Sequence, residues 1–248
     1  MPDIVISNEG PVRRIRMNRP EKKNALTLAM YETMAAAIED AGTQTSVRCL
    51  LLAGAPDVFC AGNDLNDFVA MARSGALGAS IVRFLHVLAR CEKPLVAAVS
   101  GAAVGIGTTM LLHCDQVIAS DNAVLLTPFV SLGLLPEAGS SLIAPRLMGH
   151  TQAFSLLVMG KPLSATDARA VGIVNAVVPA AELDAQSLAT ARDIAALPPE
   201  SVATARRLMR GSVEEVAARI DEEVEAFRMR LASPEAQAAL AAFLNRKR

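Results

Sequence analysis

The sequence predicts an α/β fold, and three observations carry that prediction. Short apolar runs, Cys49–Leu52 and Leu95–Val99, alternate with stretches of helical periodicity. A glycine-rich turn, Gly101–Gly107, follows the second run, and from Glu182 to Asn245 the pattern is helical throughout.

In chain order, Ile4 to Met17 is β-rich, and Val12, Ile15 and Met17 with arginines between them predict a half-exposed strand. A charged loop, Arg19–Asn24, comes next. Thr27 is placed to cap a helix whose apolar positions Leu28, Tyr31, Met34 and Ile38 recur at steps of three and four, ending near Gly42. Cys49–Leu52 is a buried strand. The turn Phe59–Asp64 leads into a helical region through Ile81, Phe84, Leu85 and Leu88, which Lys93-Pro94 stops.

Leu95–Val99 is a second buried strand, and Thr108–His113 suits a buried helix. Gln116–Ala119 and Val124–Leu126 suit further strands. Pro136 is expected to open a helix through Ile143 and Leu147, with another from Thr151 to Met159. Ser164 and Asp167 have capping-box spacing, and Ile173–Val178 is a last strand. The helical tail breaks at Pro198-Pro199 and Ser233-Pro234.

Composition excludes several classes of function. Of the 248 residues, 52% are hydrophobic and 20% charged, and the net charge of -1 lacks the basic excess that nucleic-acid binding needs. No apolar stretch has the length of a bilayer span, and Met1-Pro2-Asp3-Ile4 does not begin a signal peptide, so a cytoplasmic protein without a membrane partner is expected. Cys49, Cys60, Cys91 and Cys114 lie far apart, as do His86, His113 and His150; no metal site is expected. Cys49 and Cys114, set in apolar runs, read as buried thiols.

Gly105-Ile106-Gly107 between a strand and a helix has the look of a dinucleotide fingerprint, but Met110 stands where its third glycine belongs. No Walker lysine follows, and Ala98–Ala102 is not a nucleophile elbow. Two readings of the turn stay open: it presents the Ile106 N–H at a helix start, where negative charge is favoured, or it only lets strand and helix pack closely. The small residues of Phe59–Leu65 carry the same pair of readings.

Taken together, four ordered blocks make the chain resemble the crotonase (enoyl-CoA hydratase/isomerase) superfamily along nearly its whole length. They are Met17–Pro20 with Lys23–Leu26, Phe59–Leu65, Lys93-Pro94 with Ser100–Gly107, and Cys114-Asp115. The resemblance implies a crotonase (ClpP-like) spiral of ββα units. Residues 1–185 would form the core with a CoA-thioester site, and 186–248 a C-terminal helical trimerisation region giving a homotrimer or hexamer. It implies no cofactor, since CoA enters as part of the substrate.

By position, the resemblance assigns the backbone N–H groups of Asn63 and Ile106 to an oxyanion hole. Each such donor is worth about 3 kcal/mol in the transition state. The two glutamates of the family's hydratases correspond to Thr109 and Phe129, neither of which is a carboxylate. The stretch Thr127–Ser141 instead resembles the peroxisomal-type Δ3,Δ2-enoyl-CoA isomerases, whose catalytic glutamate falls at Glu137. From pattern alone, Glu137 after Pro136 equally suits stabilisation of a helix N-terminus. The apolar neighbours Phe129, Val130, Leu134 and Leu135 favour a carboxyl with a raised pKa.

The resemblance also places Lys22, Lys23, Ala25 and Leu26 beside the CoA nucleotide, although loop lysines are commonly just solvated. Ala61, Gly62, Asp64 and Leu65 would flank adenine and the pantetheine arm, with Asp64 equally able to cap the next helix. Gly105 and Pro128 would border the same path. Phe243 with Lys247 would close over CoA, or serve as core phenylalanine and basic tail. Two rivals remain: another crotonase reaction such as hydration or dienoyl isomerisation, and a non-catalytic acyl-CoA-binding subunit.

Overall fold

The computed structural model describes residues 1–74 and 77–246. Its frame is two sheets that the chain feeds in alternation. The larger has the order β1 (Ile4–Glu9), β2 (Val12–Met17), β3 (Cys49–Ala53), β5 (Leu95–Val99), β7 (Gln116–Ser120) and β10 (Ala176–Val178). The smaller has the order β4 (Val58–Cys60), β6 (Ala102–Val104), β8 (Val124–Leu126) and β9 (Leu163–Ser164). Among the described strands only β1–β2 and β8–β9 pair antiparallel. Each turn of the spiral gives one strand to each sheet and then a helical segment, so β4, β6 and β8 lie side by side and parallel.

Helix α1 (Leu28–Thr43) begins as its sequence predicts, with the Thr27 hydroxyl accepting the Met30 N–H. The region before Lys93 is two helices, α2 (Leu65–Ser74) and α3 (Ala79–Arg90). The glycine-rich turn leads into α4 (Ile106–Thr109), which tightens into a 3-10 turn over Met110–His113, so the helix starts two residues earlier than expected. Farther on come α5 (Ser140–Met148), α6 (His150–Leu157), α7 (Ala165–Ala170) and α8 (Leu183–Ala196). The tail continues as α9 (Pro199–Arg210), α10 (Val213–Leu231) and α11 (Pro234–Arg246), breaking at both proline sites and also at Gly211. Of the expected strand Ile173–Val178 only the last three residues pair; Ile173 and Val174 are buried in the core instead.

The central strands β2, β3, β5 and β7 of the large sheet are buried on both faces, as parallel strands are, whereas the edge strand β1 is largely exposed. Cys49, Leu51, Val96, Ala98 and Ile118 meet Leu183, Ala191 and Ala195 of α8, while Leu50, Leu52, Leu95 and Ala97 face the main core with α1 and α3. This corrects the reading of β2 as half exposed, because Arg13 and Arg14 are buried too. Arg13 bonds Asp40 at 2.5 Å, which holds that carboxyl below its usual range, and Arg14 bonds Asp184 at 3.1 Å. Among the described residues no helix is long and apolar enough to cross a membrane.

Pro136 opens no helix. Ala138 and Gly139 take left-handed φ values of 65° and 69°, and α5 starts only at Ser140. That pair of reversed residues leaves Glu137 on an irregular segment ahead of the helix.

The glycines of the spiral set how closely its turns stack. A Cβ on Gly107 would lie 2.7 Å from the Cys60 carbonyl oxygen and 2.9 Å from the Cys60 Cβ. Gly107→Ala should therefore push α4 away from β4 and lower unfolding stability by roughly 1–3 kcal/mol, read from a urea midpoint. An unchanged midpoint would show that the contact relaxes freely.

Candidate active site

The carboxyl ends of β4, β6 and β8 open on one side of the small sheet, and a cavity of about 530 Å³ lies there. Such sites form where the segments leaving parallel strands converge. The segment after β4 supplies Asn63, the segment after β6 supplies Ile106, and the segment after β8 supplies Glu137; all three line the cavity.

Asn63 is aimed by strand geometry. Leu26 donates its N–H to the Gly62 carbonyl at 2.8 Å and accepts the Asp64 N–H at 2.8 Å. Because successive peptide groups of extended chain point in opposite directions, the Asn63 N–H faces away from Leu26. Ile106 opens α4, where first-turn N–H groups have no intrahelical acceptor. Among the described residues neither N–H has a protein acceptor. The Ile106 side chain is buried at 2% exposure, so the isoleucine leaves its N–H clear. Gly105, with φ of 57°, makes the reversal between β6 and α4 and donates its own N–H to Leu126 of β8.

The Asn63 side chain is fixed as well, since the Tyr31 hydroxyl donates to its Oδ1 at 2.6 Å. Burial, reinforced by the nearby Glu137 and Cys60, pushes the Tyr31 phenol well above its usual pKa, so it stays a donor. The helical pattern marks Tyr31 only as an apolar position; nothing local points to this bond.

Glu137 faces the cavity from a half-buried position, with Phe129 and Leu134 on the same wall. Burial pushes its pKa up to about 8 against the opposing hydrogen bond from Thr109, whose hydroxyl donates to Oε1 at 2.5 Å, and the charge of Glu223 raises it further. Thr109 is itself wholly buried behind the cavity wall. The alternative role for Glu137, stabilising a helix N-terminus, is removed by its placement before the Ala138–Gly139 turn.

The mouth gathers most of the other sequence candidates. Lys22, Lys23, Ala25, Ala61, Gly62, Asp64, Leu65, Gly105 and Pro128 all line the cavity. The Arg19–Asn24 loop is pinned by buried Asn24, whose amide donates to the Val58 and Phe59 carbonyls at 3.0 and 3.1 Å. Asp64 caps α2 by accepting the Asn66 N–H and also accepts from Arg19 at 2.7 Å. Burial opposes its charge, but these bonds outweigh it and hold the carboxyl below the usual range.

Leu26 departs from expectation. Its side chain is 1% exposed in the core, and it shapes the site only through its backbone bonds around Asn63. The Phe243 side chain and Lys247 lie outside the described residues. Sequence reasoning missed Phe68, Phe227 and Leu240, which wall the apolar end of the cavity. Phe68 of α2 and Phe227 of α10 meet edge to face with centroids 6.4 Å apart. In sequence they are ordinary apolar positions of amphipathic helices.

The chain matches the enoyl-CoA hydratase/isomerase family over residues 7–248. It is 38% identical over 250 residues to rat enoyl-CoA delta isomerase 2, covering 98% of this chain and 64% of the length of that relative. It is 30% identical over 249 residues to 2,3-dehydroadipyl-CoA hydratase of Escherichia coli, covering 100% of this chain and 97% of the other. The solved structure of Pseudomonas aeruginosa OdaA superposes with a TM-score of 0.93 at 43% identity, covering 98% of each chain. The chain belongs to the enoyl-CoA hydratase/isomerase family of enzymes and has the crotonase fold.

Two predictions follow from the geometry around Glu137 and Asn63. In the unfolded chain Glu137 releases its proton near its ordinary 4.5, and in the folded chain near 8. The folded state thus binds more protons between those values, and its stabilising contribution, complete below 4.5, is lost as pH rises through 8. Glu137→Gln stays neutral, so its stability relative to the wild-type protein should increase between pH 5 and pH 8.5; parallel pH profiles in urea would rule the raised pKa out. Tyr31→Phe leaves the Asn63 amide oxygen without this partner and should cost about 1 kcal/mol in the same assay.

Proposed function

We propose that the chain is a Δ3,Δ2-enoyl-CoA isomerase that uses Glu137 as its single base. The observation that carries this reading is one carboxyl of raised pKa sharing a cavity with two free backbone N–H groups. Glu137 as carboxylate removes a proton from C2 of a 3-enoyl thioester. The C2–H electrons pass through the conjugated system to the thioester oxygen, forming a dienolate, and the Asn63 and Ile106 N–H groups stabilise that oxygen. Glu137, now protonated, returns the proton to C4, and the double bond lies between C2 and C3. CoA enters as part of the substrate and leaves with the product.

The mouth and the apolar end support the two halves of this substrate. Lys22 and Lys23 offer positive charge for the nucleotide phosphates, while Phe68, Phe129, Phe227 and Leu240 offer an acyl wall. On α9 none of the described side chains is buried, and Leu208 and Met209 are largely exposed, which supports assembly into a trimer or hexamer through the helical tail.

The relationship to a hydratase over the full chain favours hydration as the second reading. Thr109 and Phe129 stand against it, because neither supplies the second carboxylate that a two-glutamate hydratase needs. The other acids lining the cavity are Glu21 and Asp64, and Asp64 is already bonded to Arg19.

Purified protein assayed with 3-enoyl-CoA and with 2-enoyl-CoA separates these readings. Isomerisation of the 3-enoyl ester should fall by roughly 10²–10⁴ in Glu137→Gln; a loss of less than threefold would mean another base. Binding of either ester without turnover would instead indicate a binding subunit. Since the base must be ionised, kcat/KM should rise about tenfold per pH unit on the acid side and level off above a pH of about 8. A flat profile from pH 6 to 9 would contradict the assignment.

A further inference from the structure

The short segment carrying Glu137 has little regular structure of its own, and its conformation is unfavourable. Ala138 at φ 65° is a non-glycine residue in the left-handed region, which persists only where the surroundings impose it. Two buried groups do so. His113 Nε2–H donates to the Ala138 carbonyl at 2.7 Å, and burial pushes that histidine down to about 4, so it is a neutral donor. From the other side, Glu223 accepts the Gly139 N–H at 2.6 Å and the Ser141 N–H at 2.9 Å.

Glu223 is the unusual member. It sits on the buried face of α10 with Ile220, Phe227 and Leu231, at 6% exposure. A carboxylate on an apolar helix face is costly unless hydrogen bonds compensate. Here they come from the N–H groups at the start of α5, which have no acceptors within that helix. We propose that Glu223 is a positioning residue for Glu137: by holding the Ala138–Gly139 turn closed from α10, it aims the Glu137 carboxyl across the cavity at the substrate carbon beside the thioester. This role rests on Glu137 being the base.

Burial raises the pKa of Glu223 itself, opposed by its bonds to Ser141 and Gly139 and by the Arg219 charge; when ionised, Glu223 in turn disfavours ionisation of Glu137. The charged groups on the elements packed around it have further partners of their own. Arg219 on α10 bonds Glu222 and reaches the Ser141 hydroxyl, Arg146 on α5 bonds Glu215, His86 on α3 bonds Asp221, and Glu235 on α11 bonds Arg230.

The test compares Glu223→Ala, Glu223→Gln and Glu137→Gln in the full-length protein with a 3-enoyl-CoA substrate. Glu223→Ala should lower kcat by about 10–100-fold with KM changed less than about threefold, because a misaimed base loses rate rather than binding. Glu223→Gln keeps one acceptor and should recover part of that rate. Without the negative charge, its acid limb in kcat/KM should move to lower pH by about half a unit or more.

Wild-type kcat in Glu223→Ala overturns the positioning role, and an acid limb unmoved in Glu223→Gln overturns the charge coupling. If Glu223→Ala does not fold, wild-type kcat in Glu223→Gln, which keeps one acceptor for two N–H groups, overturns the positioning role instead. An active Glu137→Gln overturns the base assignment, and the positioning role with it. An inactive Glu137→Gln beside a fully active Glu223→Ala overturns only the role of Glu223.

Discussion

The parallel pairing of β4, β6 and β8 is the constraint on which the rest of the site depends. Each strand is only three residues long, and its register rests on ladder pairing and on the burial of Phe59, Cys60, Ala103 and Leu125. Close backbone approach is built into the same stacking. Gly107 sits against Cys60, a Cβ on Gly62 would lie 3.1 Å from the Val104 carbonyl oxygen, and one on Gly101 would lie 2.1 Å from the Asp57 carbonyl oxygen. With the turns of the spiral stacked at this spacing, two peptide groups far apart in sequence reach one cavity with their N–H groups free. No particular side chain is needed for that, which is why Asn63 and Ile106 can serve as the proposed donors.

Glu137, the proposed base, is held by a different principle. Backbone donors follow from strand pairing, whereas Glu137 stands on an irregular turn and depends on tertiary partners: Thr109 on its carboxyl, and His113 and Glu223 on the peptides that follow. Burial and the charge of Glu223 work against ionisation, while the Thr109 hydroxyl works for it. The resulting pKa of about 8 suits the proposed role, in which Glu137 would both take and return a proton near neutral pH. The helical tail therefore belongs to the site, since α10 supplies Glu223 from one position and the Phe227 wall from another.

Features encoded locally were legible in the sequence. Thr27 and the spacing of Met34 and Ile38 mark α1, the apolar runs mark β3 and β5, and the two small-residue turns mark where backbone approaches backbone. Features set by distant partners were not. The arginines of β2 look like solvent-facing residues until Asp40 and Asp184 are brought to them. Pro136 looks like a helix start because nothing in the sequence marks Ala138 as left-handed. Tyr31 looks like core, and its bond to Asn63 exists only once α1 lies beside the β4 turn. Leu26 belongs to a recognisable motif, yet its side chain serves the core and only its backbone serves the site.

On the proposed mechanism the proton moves within the substrate rather than arriving with water. The most direct measurement is the mass and label position of the product formed from a 3-enoyl-CoA in deuterated water. A single protonated base returning its own proton predicts a 2-enoyl-CoA with no added oxygen and with hydrogen from C2 retained in part at C4. A product heavier by one water, carrying a hydroxyl at C3, would contradict it.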